Sequence, residues 1–332
     1  MLECILKINV FPVKPRISLK KRRMEDMKIE DLYEAAEIED AVSDPDVAHL
    51  IINKDKIVGE NEIAGLSVNA VEIEDGVDVE VVVEEDAVIE KPVHMCFGMT
   101  QEEGLQRIIL DMDIRAGSEI GILAHCVFPK AVDVRHEMDA EIRVGEDAEY
   151  SYLEKHIHSP KGGLEVVPKA EIMLERRARY KNDFELVEGR VGELDIDYEC
   201  VCEEDSILEM TAKVDGKEDD DISIREAGDL VGEGARGVLT TRVAARDDTD
   251  AEVINELSAE AAYTRGHVDC KEIIQDRGEA RAVPIVDVHH PLAHVTHEAA
   301  IGSVDRKQLE ALMARGLSEE EGVDLIIQGL LS

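Results

Sequence analysis

The chain is 332 residues long, enough for one large domain or two ordinary ones. It carries 76 acidic against 37 basic residues, a formal charge of −39, and a surface that negative repels phosphate backbones and argues against nucleic acid as a partner. No run of 18 apolar residues occurs, which argues against a membrane span and so against a permease component.

Apolar residues make up 44% but aromatics only 3%, and Trp is absent, so the core must be built from Val, Ile, Leu and Ala. That palette suits many short, similar β layers. The acidic excess fits a solvated surface suited to high internal salt, or else a basic partner protein. Cys4, Cys96, Cys126, Cys200, Cys202 and Cys270 are spread too thinly for a disulfide framework or a four-cysteine zinc site, and a reducing cytoplasm is expected.

Residues 1–23 are basic, through Lys7, Lys14, Arg16, Lys20, Lys21, Arg22 and Arg23, where the rest is acidic. The basic cluster follows the short apolar run, the wrong order for a signal peptide. The segment is expected to be a disordered arm or an over-extended start, with Met24 as the first residue. Residues 24–72 form a helical and mixed segment. Dense Glu, Asp, Ala and Leu predict a helix over 24–43, Asp44-Pro45 ends it, and 46–72 is a mixed connector.

From Ile73 the period becomes two. Val77, Val79, Val81 and Val83 alternate with mostly acidic residues, which predicts a strand with one buried face. The pattern returns at Val132 and Val134, at Ala140, Ile142 and Val144, at Leu194 to Cys202, and at Ile222 and Ile224, with glycines between the runs. A mainly β body over 73–302 follows. A sandwich, a barrel and a β-solenoid all fit, and the scarcity of aromatics favours the solenoid, whose narrow core stacks aliphatics in rows.

Residues 303–332 predict two helices. Ser303 or Asp305 caps the first, with Leu309, Leu312 and Met313 as its apolar stripe and Gly316 as its stop. Ser318 caps the second, with Glu321 completing a capping box and Val323, Ile326, Ile327 and Leu330 as its stripe. Helices this short need a surface to pack on, either the body or a partner.

Chemistry concentrates between His289 and Glu298, where His289, His290, His294, His297 and Glu298 offer metal-binding and proton-transfer groups. On a strand His297 and Glu298 point to opposite faces, so adjacency alone makes no site. Cys270 lies 27 positions before His297, one or two solenoid coils away, and a thiolate is the preferred ligand for iron–sulfur chemistry; the plain alternative is a buried core cysteine. Cys200 and Cys202 share an apolar face and are expected in the core. His156 and His158 share a strand face and precede Ser159-Pro160-Lys161-Gly162-Gly163; a metal pair is conceivable there, and a turn-flanking surface is the expectation. Cys96 and Cys126, beside His94 and His125, are minor candidates. Phosphate-binding glycine loops, a GxSxG elbow and an HExxH helix are all absent from the sequence.

The run HVTHEAAIGSVDRKQLEALMARGLSEEEGVDLIIQGLL, with Gly266 to Cys270 and Ala282-Val283-Pro284 before it, resembles the C-terminal signature of the SufB/SufD family of iron–sulfur cluster assembly scaffolds. PKAEIMLERRARY from Pro168 and LVGEGARGVLTTRV from Leu230 are similar more loosely. The resemblance implies a right-handed parallel β-helix with helical elements at both ends, dimerising as a homodimer or a SufB–SufD heterodimer through the β-helix ends. It implies that the C-terminal helices bind SufC, the ABC-type ATPase, through Leu309, Leu312, Met313, Val323, Ile326, Ile327 and Leu330. It also implies that Cys270, His297 and Glu298 hold a nascent, transient iron–sulfur cluster, with His290 and His294 in reserve; nothing in the sequence indicates a flavin. An ungapped comparison puts Asp269, not Cys270, at the family cysteine. The expected role is therefore a scaffold without catalysis of its own, with a SufD-like structural partner as the alternative. A metal-dependent enzyme is the third reading, using His290, His294 and His297 as ligands and Glu298 as base.

Overall fold

The computed structural model describes Ala36 and residues 38–332. The basic segment 1–23 and most of the helix expected over 24–43 lie outside the described residues; what is seen of that helix is α1, Glu39–Ser43.

Strands then occupy the chain in pairs. The first group is β1 (His49–Asn53), β2 (Lys56–Asn61), β3 (Leu66–Ile73), β4 (Gly76–Val83), β5 (Val93–Gly98), β6 (Glu103–Ile114) and β7 (Glu119–Phe128). The middle of the chain forms β8 (Asp133–Val144), β9 (Glu149–His158), β10 (Leu164–Leu174), β11 (Arg179–Glu188), β12 (Gly192–Cys202) and β13 (Ile207–Gly216). The last are β14 (Asp221–Leu230), β15 (Arg236–Ala245), β16 (Asp250–Ala259), β17 (Arg265–Ile274), β18 (Glu279–Val288) and β19 (His294–Ser303). Two helices close the chain, α2 (Arg306–Met313) and α3 (Glu319–Leu331).

Even strands β4 to β18 build one parallel sheet and odd strands β5 to β19 the other, each strand pairing with the second one after it. The chain therefore winds as a β-solenoid of eight coils. Strands begin at His49, earlier than the alternation at Ile73 indicates. β1 joins the odd sheet parallel to β5 and pairs antiparallel with β2, and β3 pairs antiparallel with β4. These hairpins cover the N-terminal end of the stack, and their short, irregular runs hide the period of two.

Parallel register makes lateral neighbours share a face, so one inward column dictates the next. Val77, Val79, Val81 and Val83 are buried, as are Ala140, Ile142 and Val144, Leu194 to Cys202 on alternate positions, and Ile222 and Ile224. Each Val, Leu or Ile among them contributes roughly 1.5–3 kcal/mol on burial. The outer faces hold the charge. Glu80, Asp111, Glu141, Glu171 and Glu199 stand in consecutive register down the even sheet. Neighbours in that column repel by roughly 1 kcal/mol per pair in water-like surroundings. Ala227 follows Glu199 in the column, and Arg225, two positions away on the same strand, reaches Asp197, Glu199 and Glu256.

The corners repeat as well. Asp86, Gly117, Asp147, Arg177, Asp205, Gly234 and Tyr263 all adopt positive φ and recur once per coil. Arg177 reaches back 30 residues to Asp147 one coil below. At Gly163 (φ +76°) an added Cβ would lie 2.2 Å from the Val132 carbonyl oxygen, whereas at Gly302 it would meet nothing within 4 Å. Gly163→Ala is expected to lower the unfolding free energy by more than about 2 kcal/mol, and Gly302→Ala to change it by less than about 1. Urea midpoints of the two variants check this, and equal midpoints would refute it.

Candidate site at the C-terminal end of the solenoid

Cys270 sits on β17 with its thiol facing the interior, flanked on the same face by Val268 and Glu272, all three buried. Thr241 on β15 is its lateral neighbour. Across the narrow core, Glu226 on β14 stands in register with Asn255 on β16, whose Nδ2 donates to Thr241 Oγ1 at 2.9 Å. The interior near the C-terminal end thus holds a thiol, two carboxyls, a hydroxyl and an amide. Neither carboxyl oxygen of Glu226 or of Glu272 has a hydrogen-bond partner.

Burial dominates the electrostatics. It pushes Glu226 up to about 8, against a smaller opposing pull from the nearby Thr241 hydroxyl. It pushes Glu272 up to about 7, with Arg242 opposing. Burial and then the charges of Glu272 and Glu226 push the Cys270 thiol up to about 12. Closed, this thiol is a poor nucleophile and a poor ligand. Glu226 thus keeps its own proton at neutral pH, and Glu272, the lower of the two, is the carboxyl that can take the thiol proton once water or a metal ion reaches the site.

Glu298 and Asp269 stand in register on the outer face. Burial pushes Asp269 up, but hydrogen bonds from Arg242 and Lys271 outweigh it and hold the carboxyl below its ordinary value. Lys271 Nζ lies 3.8 Å from Glu298, so one ammonium bridges the two carboxylates. His297 is in register with inward-facing Val268, and Cys270 with Ala299. His297 and Cys270 therefore share the interior face of adjacent strands, two positions apart, while Glu298 belongs to the outer face. His290 accepts from the backbone N–H of Leu292 in the turn before β19, and His294 is the first, exposed residue of that strand. Among the described residues, His290, His294 and His297 do not form a group with converging ligand atoms.

What sets this end apart is that none of the described residues covers it. In interior strands every second residue is buried, but no residue of β18 or β19 is buried. Ile285, Leu292 and Ile301 are 42%, 48% and 44% exposed, an apolar rim around the edge strands. Unpaired edge strands of this kind are templates for another chain.

The terminal helices divide their residues between the body and solvent. Asp305 accepts from Gln308 N to cap α2, and Ser318 with Glu321 forms the capping box of α3. Val323, Ile327 and Leu331 bury against Ala244, with Leu309, Val187, Ile273 and Val304 around them. Gly322 admits Leu309, whose Cδ1 would lie 2.7 Å from an added Cβ. Arg246 ties α3 to the body, bonding Asp324 at 2.5 Å and Asp215 at 2.7 Å. Of the expected docking stripe, Leu309, Val323 and Ile327 are thus occupied by the body. Leu312, Ile326 and Leu330 are half-buried, and Met313 is exposed together with Leu325.

Cys200 and Cys202 lie in the core, 3.8 Å apart, as their apolar face indicates. His156 and His158 correct the surface reading. Both are buried, because they continue inward from Tyr150, Tyr152 and Glu154 before the turn begins. Cys126 faces the interior on β7, while Cys96 packs on the outer side of the odd sheet beneath Ile38 and Ile51. The five cysteines among the described residues are free.

No described helix is long and apolar enough to cross a membrane. Residues 106–330, more than half of the chain, match the family model described as "SUF system FeS cluster assembly, SufBD core domain". An iron–sulfur cluster assembly SufBD family protein of Pyrococcus horikoshii is 36% identical over 301 residues, covering 91% of this chain and 92% of that one. Another, of Methanocaldococcus jannaschii, is 34% identical over 282 residues, covering 85% and 89%. The iron-sulfur cluster assembly protein SufB of Bacillus subtilis is 26% identical over 164 residues, covering 40% of this chain and 35% of its own. The solenoid, its core-domain match and these near full-length relatives together place the chain in the SufBD family of iron–sulfur cluster assembly proteins.

Proposed function

We propose that the chain is a cytoplasmic scaffold that assembles a nascent iron–sulfur cluster, its transient cargo, at the C-terminal end of the solenoid. The uncovered last coil carries this reading. An apolar rim and two open strand edges flank a coil whose neighbour holds Cys270, so a second copy or a related chain covering β18 and β19 would enclose the cargo between two solenoid ends. Cys270 and His297 are the cargo ligands from the interior face, and Glu298 contributes from the rim.

A SufC-type ATPase docks on the exposed side of α2 and α3, where Met313 and Leu325 stand beside half-buried Leu312, Ile326 and Leu330. Because Val323, Ile327 and Leu331 bind α3 to Ala244 on β15, force applied to the helices is delivered next to β17. Opening there lets Cys270 leave its dry pocket, and Glu272 accepts the thiol proton. Nucleotide binding on the partner thereby shifts the population between a closed and an open packing of one coil.

A second reading is favoured by one observation. Asp269, not Cys270, is in register with Glu298 on the outer face. If the cargo sits on that face, this chain lacks a thiolate there and serves as a SufD-like structural partner. Anaerobic reconstitution with iron and sulfide, with and without the ATPase, separates the two. Visible absorption and Mössbauer spectra are expected to show a cluster in wild type that Cys270→Ala and His297→Ala lose. A wild type that binds no cluster under any condition would leave the structural-partner role.

A further inference from the structure

Four coils from Cys270, the solenoid interior holds a second polar cluster. Cys126 on β7, His136 on β8, and Glu154, His156 and His158 on β9 are all buried. Cys126 Sγ lies 3.4 Å from Glu154 Oε1 and 3.7 Å from His136 Nε2, and His156 Nε2 lies 2.8 Å from the same Oε1. The ligand atoms of Cys126, Glu154 and His156 fall within 4.8 Å of one another, the only such group among the described residues. Glu154 Oε2, His136 Nδ1 and His158 Nδ1 have no hydrogen-bond partner.

We propose that Cys126, Glu154 and His156 form a binding site for one divalent transition-metal ion of the borderline class to which zinc and cobalt belong, with His136, 3.7 Å from the thiol, turning in as the fourth ligand. The donor set is one thiolate, one carboxylate and two imidazoles, the mixture such ions select. Bonds of about 2.3 Å to sulfur and 2.1 Å to nitrogen or oxygen place tetrahedral ligands ~3.4–3.6 Å apart. The two separations at sulfur, 3.4 and 3.7 Å, already match, the 2.8 Å pair must part by ~0.6 Å, and the His136 ring, outside the group that converges within 4.8 Å, must turn toward Glu154 and His156 to close the tetrahedron. Charge balances too: the Cys126 thiol proton leaves for solvent as the sulfur–metal bond forms, and thiolate plus carboxylate neutralise the dication within an otherwise apolar core.

The surroundings complete the site. His158 Nε2 lies 3.0 Å from His156 Nδ1, so His156 can bind metal through Nε2 while donating its Nδ1–H to His158, the outer partner that metal-bound histidines require. Phe128 lies 5.0 Å from the His136 ring and Phe184 4.8 Å from the His156 ring, and they keep water out. β9 and β17 are four strand spacings apart in the odd sheet, roughly 19 Å. The site is therefore separate from Cys270 and does not depend on the scaffold reading.

The test is to express the full chain in minimal medium supplemented with Co2+ and purify it with a chelator in the buffer. Wild type is expected to retain about one cobalt per chain and to show thiolate-to-cobalt charge-transfer absorption. Cys126→Ser should reduce that band at least tenfold, Glu154→Gln should reduce bound cobalt, and Cys270→Ala should leave both unchanged. X-ray absorption on wild type needs no variant and should show one sulfur at about 2.3 Å with nitrogen or oxygen at about 2.1 Å. Wild type without chelator-resistant cobalt, ligation by nitrogen and oxygen alone, or a band lost in Cys270→Ala but kept in Cys126→Ser would each overturn the proposal.

Discussion

Glu226→Gln is expected to stabilise the protein by on the order of 3 kcal/mol at pH 7 and to change its stability little at pH 5. Glu226 is buried without a partner for either oxygen, and its carboxyl holds its proton to about 8. The unfolded chain releases the same proton near 4.5, the ordinary value. Between those two values the folded state binds more protons than the unfolded one, so rising pH favours unfolding by about 1.4 kcal/mol per unit. Glutamine mimics the neutral acid and removes this slope. Urea unfolding of both proteins at pH 5, 7 and 8 measures the difference, which should grow with pH. Some slope remains in the variant because Glu272, pushed up to about 7, works in the same direction. A difference that does not vary with pH would show that Glu226 is ionised in the folded state.

Arg190→Ala is expected to cost about 3–5 kcal/mol, the price of stranding a buried carboxylate. Arg190 lies in the turn between β11 and β12 and donates to Asp220 at 2.8 Å, to Glu218 at 2.5 Å and to the Lys217 carbonyl at 3.2 Å, and it also pairs with Asp219. Asp220 is the member that cannot be left alone. It is buried, and it also accepts from the backbone N–H of Gly192 and of Lys217. Asp219 faces solvent, so Asp219→Asn should cost less than about 1 kcal/mol. Thermal or urea unfolding compares the two variants. Similar small losses in both would mean that water reaches Asp220.

The strand parity was legible in the runs Val77 to Val83, Ala140 to Val144, Leu194 to Cys202 and Ile222 to Ile224, and so were the caps at Asp305 and Ser318; of Val132 and Val134 only Val134 is inward, because Val132 lies in the turn before β8 and is 51% exposed. Parity also carried more than it was asked for. Tyr150 and Tyr152 are plainly inward, and the same count of two makes Glu154, His156 and His158 inward. Ile222 and Ile224 likewise lead to Glu226, and Val268 and Cys270 to Glu272. Polarity outweighed position in those readings, which is why His156 and His158 were assigned to a surface. The coil repeat escaped for another reason. Corners at Asp147, Arg177 and Asp205 share a positive φ but no residue type, so the repeat is one of backbone conformation rather than of letters. The split between His297 and Glu298 was visible from strand geometry. That Asp269 is the register partner of Glu298 required the pairing of β17 with β19.

The bare last coil has a consequence for how the molecule comes apart. In a stack where each coil touches only its neighbours, cooperativity runs along one dimension, and opening begins at whichever end has fewest neighbours. At the N-terminal end the hairpins cap the column, while at the other end β18 and β19 are held from one side only. Fraying therefore starts there and reaches β17 next. Whatever covers that end acts as a clasp on the whole rod, and its release brings the coil of Cys270 to the front of the unzipping order.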